Sequence, residues 1–151
     1  MVLPIITGES SPILRTRTKR VATIGKDVQK LLKDMQETTV AADGLGLAAP
    51  QVGSELRVCI ARINGKLTPL VNPEITWRSP TTETAEEGCL SLPGTWVPVS
   101  RAVEITLKFQ TAKGELKELK LKDMDARVVQ HETDHLDGRL IIDYVSASVV
   151  L

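Results

Sequence analysis

The sequence predicts an α+β fold, with small antiparallel β-sheets packed around a central helix and an amphipathic helix towards the N-terminus. Apolar residues recur at helical spacing over residues 26–39 and again over 124–136. Between these stretches lie runs that alternate or stay apolar over strand lengths. The 151 residues suit one domain spanning 1–151, long enough to bury a core without disulfides. No linker, low-complexity run or internal repeat divides it.

Ser10, Ser11 and Pro12, followed by Ile13 and Leu14, open the chain with a turn and a short helical piece. Over 26–39, Val28, Leu31, Leu32 and Met35 form one apolar stripe among charges, the pattern of a surface helix. Residues 44–53, rich in glycine and alanine, break regular structure. Strands are expected at 56–63, 70–72, 103–110 and 116–121, the last two joined as a hairpin through Ala112, Lys113, Gly114 and Glu115. The helix at 124–136 carries Ala126, Val128, Val129 and Leu136 on its apolar face, with Asp123 or Asp125 as its cap. A short strand at 140–145 is expected to end the core.

Lys and Arg balance Asp and Glu at 19 each, so no strong field points to a nucleic-acid or membrane partner. Only Trp77, Trp96, Phe109 and Tyr144 are aromatic, too few for a face that stacks bases. The opening residues lack the basic start and apolar run of a signal peptide, and no stretch approaches membrane-spanning length. Of the two cysteines, Cys59 sits in an apolar run that reads as a buried strand, and Cys89 in a loop-like, glycine-bracketed segment. A cytoplasmic enzyme with reduced thiols is the natural class.

The helix at 124–136 contains His131, Glu132, Thr133, Asp134 and His135, an H-E-x-x-H pattern. Positions i and i+4 share a helix face, so both imidazoles can reach one metal ion. Glu132 then lies where it can touch a coordinated water. A catalytic site needs a third protein ligand and an open position. Asp137 and Asp143 are the carboxylates that remain downstream, and Asp137 follows too closely to swing onto the same ion. Taken alone, Cys89 reads as a structural thiol; beside the helix motif it reads as the third ligand. The glycine-rich stretch at 44–53 allows close backbone approach to an extended ligand, and Gln51 offers an amide donor. It lacks the lysine and hydroxyl residue of a phosphate loop. The helix motif alone is shared with metallopeptidases that cut internal amides, and a structural zinc module would need a fourth protein ligand.

Taken together, the three segments resemble the peptide deformylase family. Gly44, Leu45, Gly46, Leu47, Ala48, Ala49, Pro50 and Gln51 match its glycine-rich motif. Glu87, Gly88, Cys89, Leu90 and Ser91 match its cysteine motif. The stretch from Gln130 to Gly138 matches its histidine motif, and all three stand in family order. The resemblance extends to Ser11–Arg15 and to Asp143 and Tyr144, and so covers nearly the whole chain.

The resemblance implies a metallohydrolase that removes the N-formyl group from the formyl-methionine of new proteins. One divalent metal ion per chain would be bound by Cys89, His131 and His135 on the central helix, with water in the fourth position. Iron(II) is the usual physiological ion, and zinc, nickel or cobalt can substitute. Glu132 would act as general base, with Gln51 and the Leu90 backbone N–H receiving the developing oxyanion. The methionine pocket would involve Leu45, Ala85, Met124, Val128 and His131, with the stem of Arg127 at its mouth. Backbone near Gly44, Gly46 and Gly88 would pair with the peptide. Glu87 and Arg101 would brace the cysteine loop, and Asp134 would orient a ligand imidazole. Many bacterial members continue into a long basic C-terminal helix linked to ribosome docking; the sequence stops short of it, which removes the expectation of docking by that route. The implied partners are formylmethionyl nascent peptides, without direct nucleic-acid reading or a membrane. The implied compartment is the cytoplasm, including a host's if the enzyme is phage-borne, or an organelle matrix or stroma.

Overall fold

The structure, a computed structural model, describes residues 1–149. Its elements follow in the order α1 (Lys26–Ala41), β1 (Gly46–Ala48), β2 (Val58–Ile63), β3 (Lys66–Arg78), β4 (Thr82–Cys89), β5 (Leu92–Ala102), β6 (Glu104–Gln110), β7 (Leu116–Lys122), α2 (Asp123–Leu136) and α3 (Ile142–Val149). A five-stranded sheet in the order β1-β2-β3-β6-β7 and a two-stranded sheet of β4 and β5 are both antiparallel. The mixed fold with small antiparallel sheets is therefore the one expected.

Strand β2 shows why the core has two sides. Its side chains alternate between faces. Cys59, Ala61 and Ile63 join Ala126, Val128, Val129 and Leu136 of α2 in one cluster. Val58 and Ile60 join Val28, Leu32 and Met35 of α1 in another. A strand covered on both faces reads as an unbroken apolar run. The sheet is thus held between α1 and α2, and α2 is pressed against its inner face. In α1, buried Thr38 and Thr39 satisfy their hydroxyls by donating to the Asp34 and Met35 carbonyls at 2.7 Å each.

Several expected elements differ. The strand expected at 70–72 is the centre of a much longer one, β3, which carries register shifts between Val71 and Glu74 and between Ile75 and Trp77. Asn72 adopts φ 50° there, and its side chain accepts from the Val21 N–H (2.8 Å) and donates to the Val21 carbonyl (2.9 Å). The irregularity fits Pro73, which has no ladder N–H to give. The glycine-rich stretch expected to be irregular contains β1 and a 3-10 turn at Ala49–Val52.

The β4–β5 hairpin was not expected, and Cys89 is the last residue of β4, not part of a loop. Neither Asp123 nor Asp125 caps α2: the N-cap is Lys122, without a side-chain bond. Asp123, at φ 54°, donates its N–H to the Val103 carbonyl (2.8 Å), and the Asp125 carboxylate accepts from the Asn64 N–H (3.1 Å). Both still place negative charge in the first turn, where the helix dipole favours it.

The strand expected at 140–145 does not form. Leu140 and Ile141 bury themselves with Leu14, Leu92, Val97 and Val99, and the chain then turns into α3. Asp143 stabilises this entry by accepting from the Leu140 N–H (3.0 Å) and from Arg15 Nη1 (2.7 Å to Oδ2).

Candidate metal centre and cleft

Helix α2 brings His131 and His135 onto one face, with ring centroids 5.0 Å apart. Cys89 reaches them from the end of β4, its Sγ 3.3 Å from His135 Nε2. The ligand atoms of Cys89, His131 and His135 all lie within 4.8 Å of one another, as a shared ion requires. Gln130 fixes the helix: its Oε1 accepts from the Ala102 N–H (3.1 Å) and its Nε2 donates to the Ala102 carbonyl (2.9 Å). That clasp between α2 and β5 went unread in the sequence, although Gln130 opens the histidine motif.

The two imidazoles are driven in opposite directions. Desolvation lowers the pKa of the half-buried His131, yet contact with Cys89, the charge of Glu132 and the bond to Glu87 raise it to about 10. His135 is pushed well below the usual imidazole value by burial and by the neighbouring His131. Burial lifts the Glu132 carboxyl to about 7. Glu132 Oε1 and His135 Nδ1 are buried without a hydrogen-bond partner among the described residues. A thiol and two imidazoles, with carboxylates around them and an unsatisfied buried Glu132 oxygen beside them, fit a divalent ion with an associated water.

The surrounding residues converge from separate elements. Gln51 Oε1 accepts from the Ala48 N–H (2.9 Å), which turns Nε2 towards Ser91 Oγ (3.1 Å) and Cys89 Sγ (3.9 Å). A Cβ at Gly46 would lie 2.5 Å from Glu132 Oε2 and 2.8 Å from the Ile60 carbonyl, so only glycine leaves that carboxylate its place. Across the cleft, the Trp96 ring covers Gly88, where a Cβ would stand 2.8 Å from it. Gly44, Leu45, Gly46, Gln51, Glu87, Gly88, Leu90, Met124, Arg127, Val128, His131 and Glu132 border one cavity of about 400 Å³ together with Cys89. Among the described residues, β1 pairs only with β2 and β4 only with β5, so an edge of each sheet is open to an extended chain.

Two expected roles, those of Ala85 and Asp134, are corrected by this geometry, and that of Arg127 at the cavity is extended. Ala85 is not part of the cavity wall; it pairs with Val99 farther back along the hairpin, where Arg127 bonds to the carbonyls of Glu83 (2.6 Å) and Val99 (2.9 Å). Arg127 offers more than an aliphatic stem, because its Nη1 also holds Glu87 Oε2 at 2.7 Å. Asp134 touches no imidazole: its Oδ2 accepts from Arg101 Nη1 (2.5 Å) and from the Tyr144 hydroxyl. The carboxylate against a ligand ring is that of Glu87, whose Oε1 lies 2.9 Å from His131 Nδ1. The expected Glu87–Arg101 pair is present as a buried two-point contact at 2.9 and 2.8 Å. Although burial opposes its charge, the Arg101 and His131 hydrogen bonds hold the Glu87 carboxyl far below the usual range.

Comparison with known proteins places this geometry. The model of the family described as polypeptide deformylase matches residues 2–149. A peptide deformylase of Dictyoglomus thermophilum is 48% identical over 132 residues, covering 87% of this chain and 86% of the relative. The crystal structure of peptide deformylase from Thermotoga maritima superposes with a TM-score of 0.92 at 42% identity, covering 95% of this chain and 97% of that one. A class I type b peptide deformylase of Acinetobacter baumannii, in a crystal structure described as Met-Ala-Ser bound, superposes with a TM-score of 0.90 at 33% identity, covering 95% and 98%. With its fold, its candidate Cys–His–His metal site and its relatives in agreement, the chain belongs to the polypeptide deformylase family of metallohydrolases.

Proposed function

We propose that the chain, acting as one catalytic domain, hydrolyses the N-formyl group of formyl-methionyl peptides emerging from translation, releasing formate. The observation that carries this reading is Glu132 standing between two candidate metal ligands, with the Gln51 amide aimed across the same cavity. Cys89, His131 and His135 would hold the ion, iron(II) in the cell, with zinc, nickel or cobalt as substitutes. When bound, such an ion lowers the pKa of its water and polarises the formyl oxygen.

The protein's own groups do the rest. Glu132 takes the proton of the attacking water and can return it, because burial strengthens its hold on a proton relative to a free carboxylate. As the formyl carbon becomes tetrahedral, its carbonyl electron pair moves onto oxygen. Gln51 Nε2 and the Leu90 N–H donate to that oxygen, each contributing about 3 kcal/mol in a dry site. Collapse breaks the C–N bond, and the proton carried by Glu132 passes to the departing amine. Met124, Val128 and Leu45 offer the methionine side chain an apolar wall. The peptide backbone would lie as an added strand between Gly46 of β1 and Gly88 of β4. The Met-Ala-Ser peptide named for the Acinetobacter relative is what deformylation of formyl-Met-Ala-Ser would leave.

Anaerobically purified, metal-loaded protein should release formate from formyl-Met-Ala-Ser and leave an internally quenched peptide intact. Cleavage of the internal amide without formate release would instead mark a metallopeptidase.

A further inference from the structure

We propose that Tyr144, the third residue of α3, is a positioning residue for the metal centre, acting through Arg101 and Glu87 on His131. Its hydroxyl donates to Asp134 Oδ2, and Arg101 Nη1 donates both to that oxygen and to Tyr144 Oη at 3.1 Å. The Tyr144 ring lies under the guanidinium, 4.9 Å from ring centroid to the Arg101 central carbon. A buried guanidinium is a rigid planar fork, so fixing one arm fixes the others. The remaining arms of Arg101 grip both oxygens of Glu87. Glu87 Oε1, shared between Arg101 Nη2 and His131 Nδ1, is the point where this orientation reaches the ligand.

A carboxylate on Nδ1 sets the tautomer and tilt of a metal-binding imidazole and raises its basicity. Arg127 also holds Glu87, but from the Glu83 and Val99 carbonyls of the hairpin, so it locates the carboxylate without orienting Arg101. Arg101 Nη1 bonds directly to Asp134 of α2 and to Tyr144 of α3, and the Tyr144–Asp134 bond closes the triangle that joins both helices. Asp134 directly precedes His135, so the same contact also holds the α2 backbone beside the second ligand. Through this ring of contacts α3 serves as a brace for the ligand field. The inference rests on the proposed metal site.

The test uses the cobalt-loaded full chain. Tyr144→Phe removes the hydroxyl and keeps the ring, and Tyr144→Leu removes both. Expected are an altered cobalt d–d spectrum and release to a chelator about tenfold faster for Tyr144→Phe, the low end for loss of a group behind a ligand. Tyr144→Leu should release faster still. Ile141→Val trims the buried base of α3 without touching the ring of contacts, and serves as a control for destabilisation alone. It should lower the melting temperature with wild-type spectrum and release. Wild-type release from Tyr144→Phe, or release from Ile141→Val as fast as from Tyr144→Phe, would overturn the proposal. Formate release is assayed on the same samples. A wild-type chain that binds cobalt but yields no formate sinks the proposed function, while the spectra and release rates still decide the role of Tyr144.

Discussion

Gly46 and Glu132 occupy a space that admits no further carbon. Gly46→Ala would drive a methyl against Glu132 Oε2 and the Ile60 carbonyl, and the side chain is the part able to move. We expect bound metal to stay near one ion per chain while kcat falls about 10²-fold, the lower range for loss of a general base. Glu132→Gln should show the same separation more strongly, with turnover down by about 10²–10⁴ and metal retained. Metal analysis beside single-turnover kinetics checks both, and loss of the ion from either variant would make Glu132 a ligand and not a base. At this scale the sequence was most informative, because the candidate ligand set is legible in residue type and in the i, i+4 spacing of His131 and His135. Partners brought in from afar were harder to read. Glu87 gathers Arg101, Arg127 and His131 from 14, 40 and 44 positions away, and nothing local announces such a convergence.

The elements divide by how much of their stabilisation is local. α1 and β2 declare themselves through apolar periods that match their burial. β4 does not, since of Thr82–Cys89 only Glu87 is buried and its reason for burial is an ion pair. α3 begins in an apolar run that suits a strand as well as a helix, and period alone does not separate the two. What decides it is Arg15 holding Asp143, a contact spanning 128 positions. The end of α2 is equally non-local. Thr18 donates to the Leu136 carbonyl through its N–H (2.9 Å) and its hydroxyl (2.8 Å). The chain then turns at Gly138, with φ 76° and the Arg15 carbonyl 2.6 Å from where a Cβ would be. Gly138→Ala combines a left-handed residue with a clash against backbone, and we expect a loss of about 2–4 kcal/mol. Urea unfolding measures it; a change below 0.5 kcal/mol would mean the N-terminal segment yields without cost.

Across the whole molecule, enclosure of the sheet between α1 and α2 gives the two thiols different chemistry. Cys59 is fully buried, and burial pushes its pKa well up, so it offers no thiolate; Cys89 lies partly exposed at the cleft. After metal is chelated, iodoacetamide should therefore modify one site, Cys89, and reach Cys59 only in denaturant. Mass spectrometry of digests reads this directly, and prompt native labelling of Cys59 would show that the sheet opens far more readily than its packing implies. The sheet edges that border the cleft, β1 on one sheet and β4 on the other, carry a different consequence. A chain bound between them is recognised by its main chain, which is alike in every protein. On the proposed function, such a cleft can serve a whole proteome, but only while each N-terminus is still extended. Access then becomes a race against folding: a nascent chain whose first residues enter a helix early has withdrawn its backbone amides, whatever side chains it carries. A formyl-peptide held in a helix should thus turn over more slowly than its unfolded counterpart, and the enzyme's selectivity would be one of timing, exercised in the interval between a residue leaving the ribosome and finding its place in a fold.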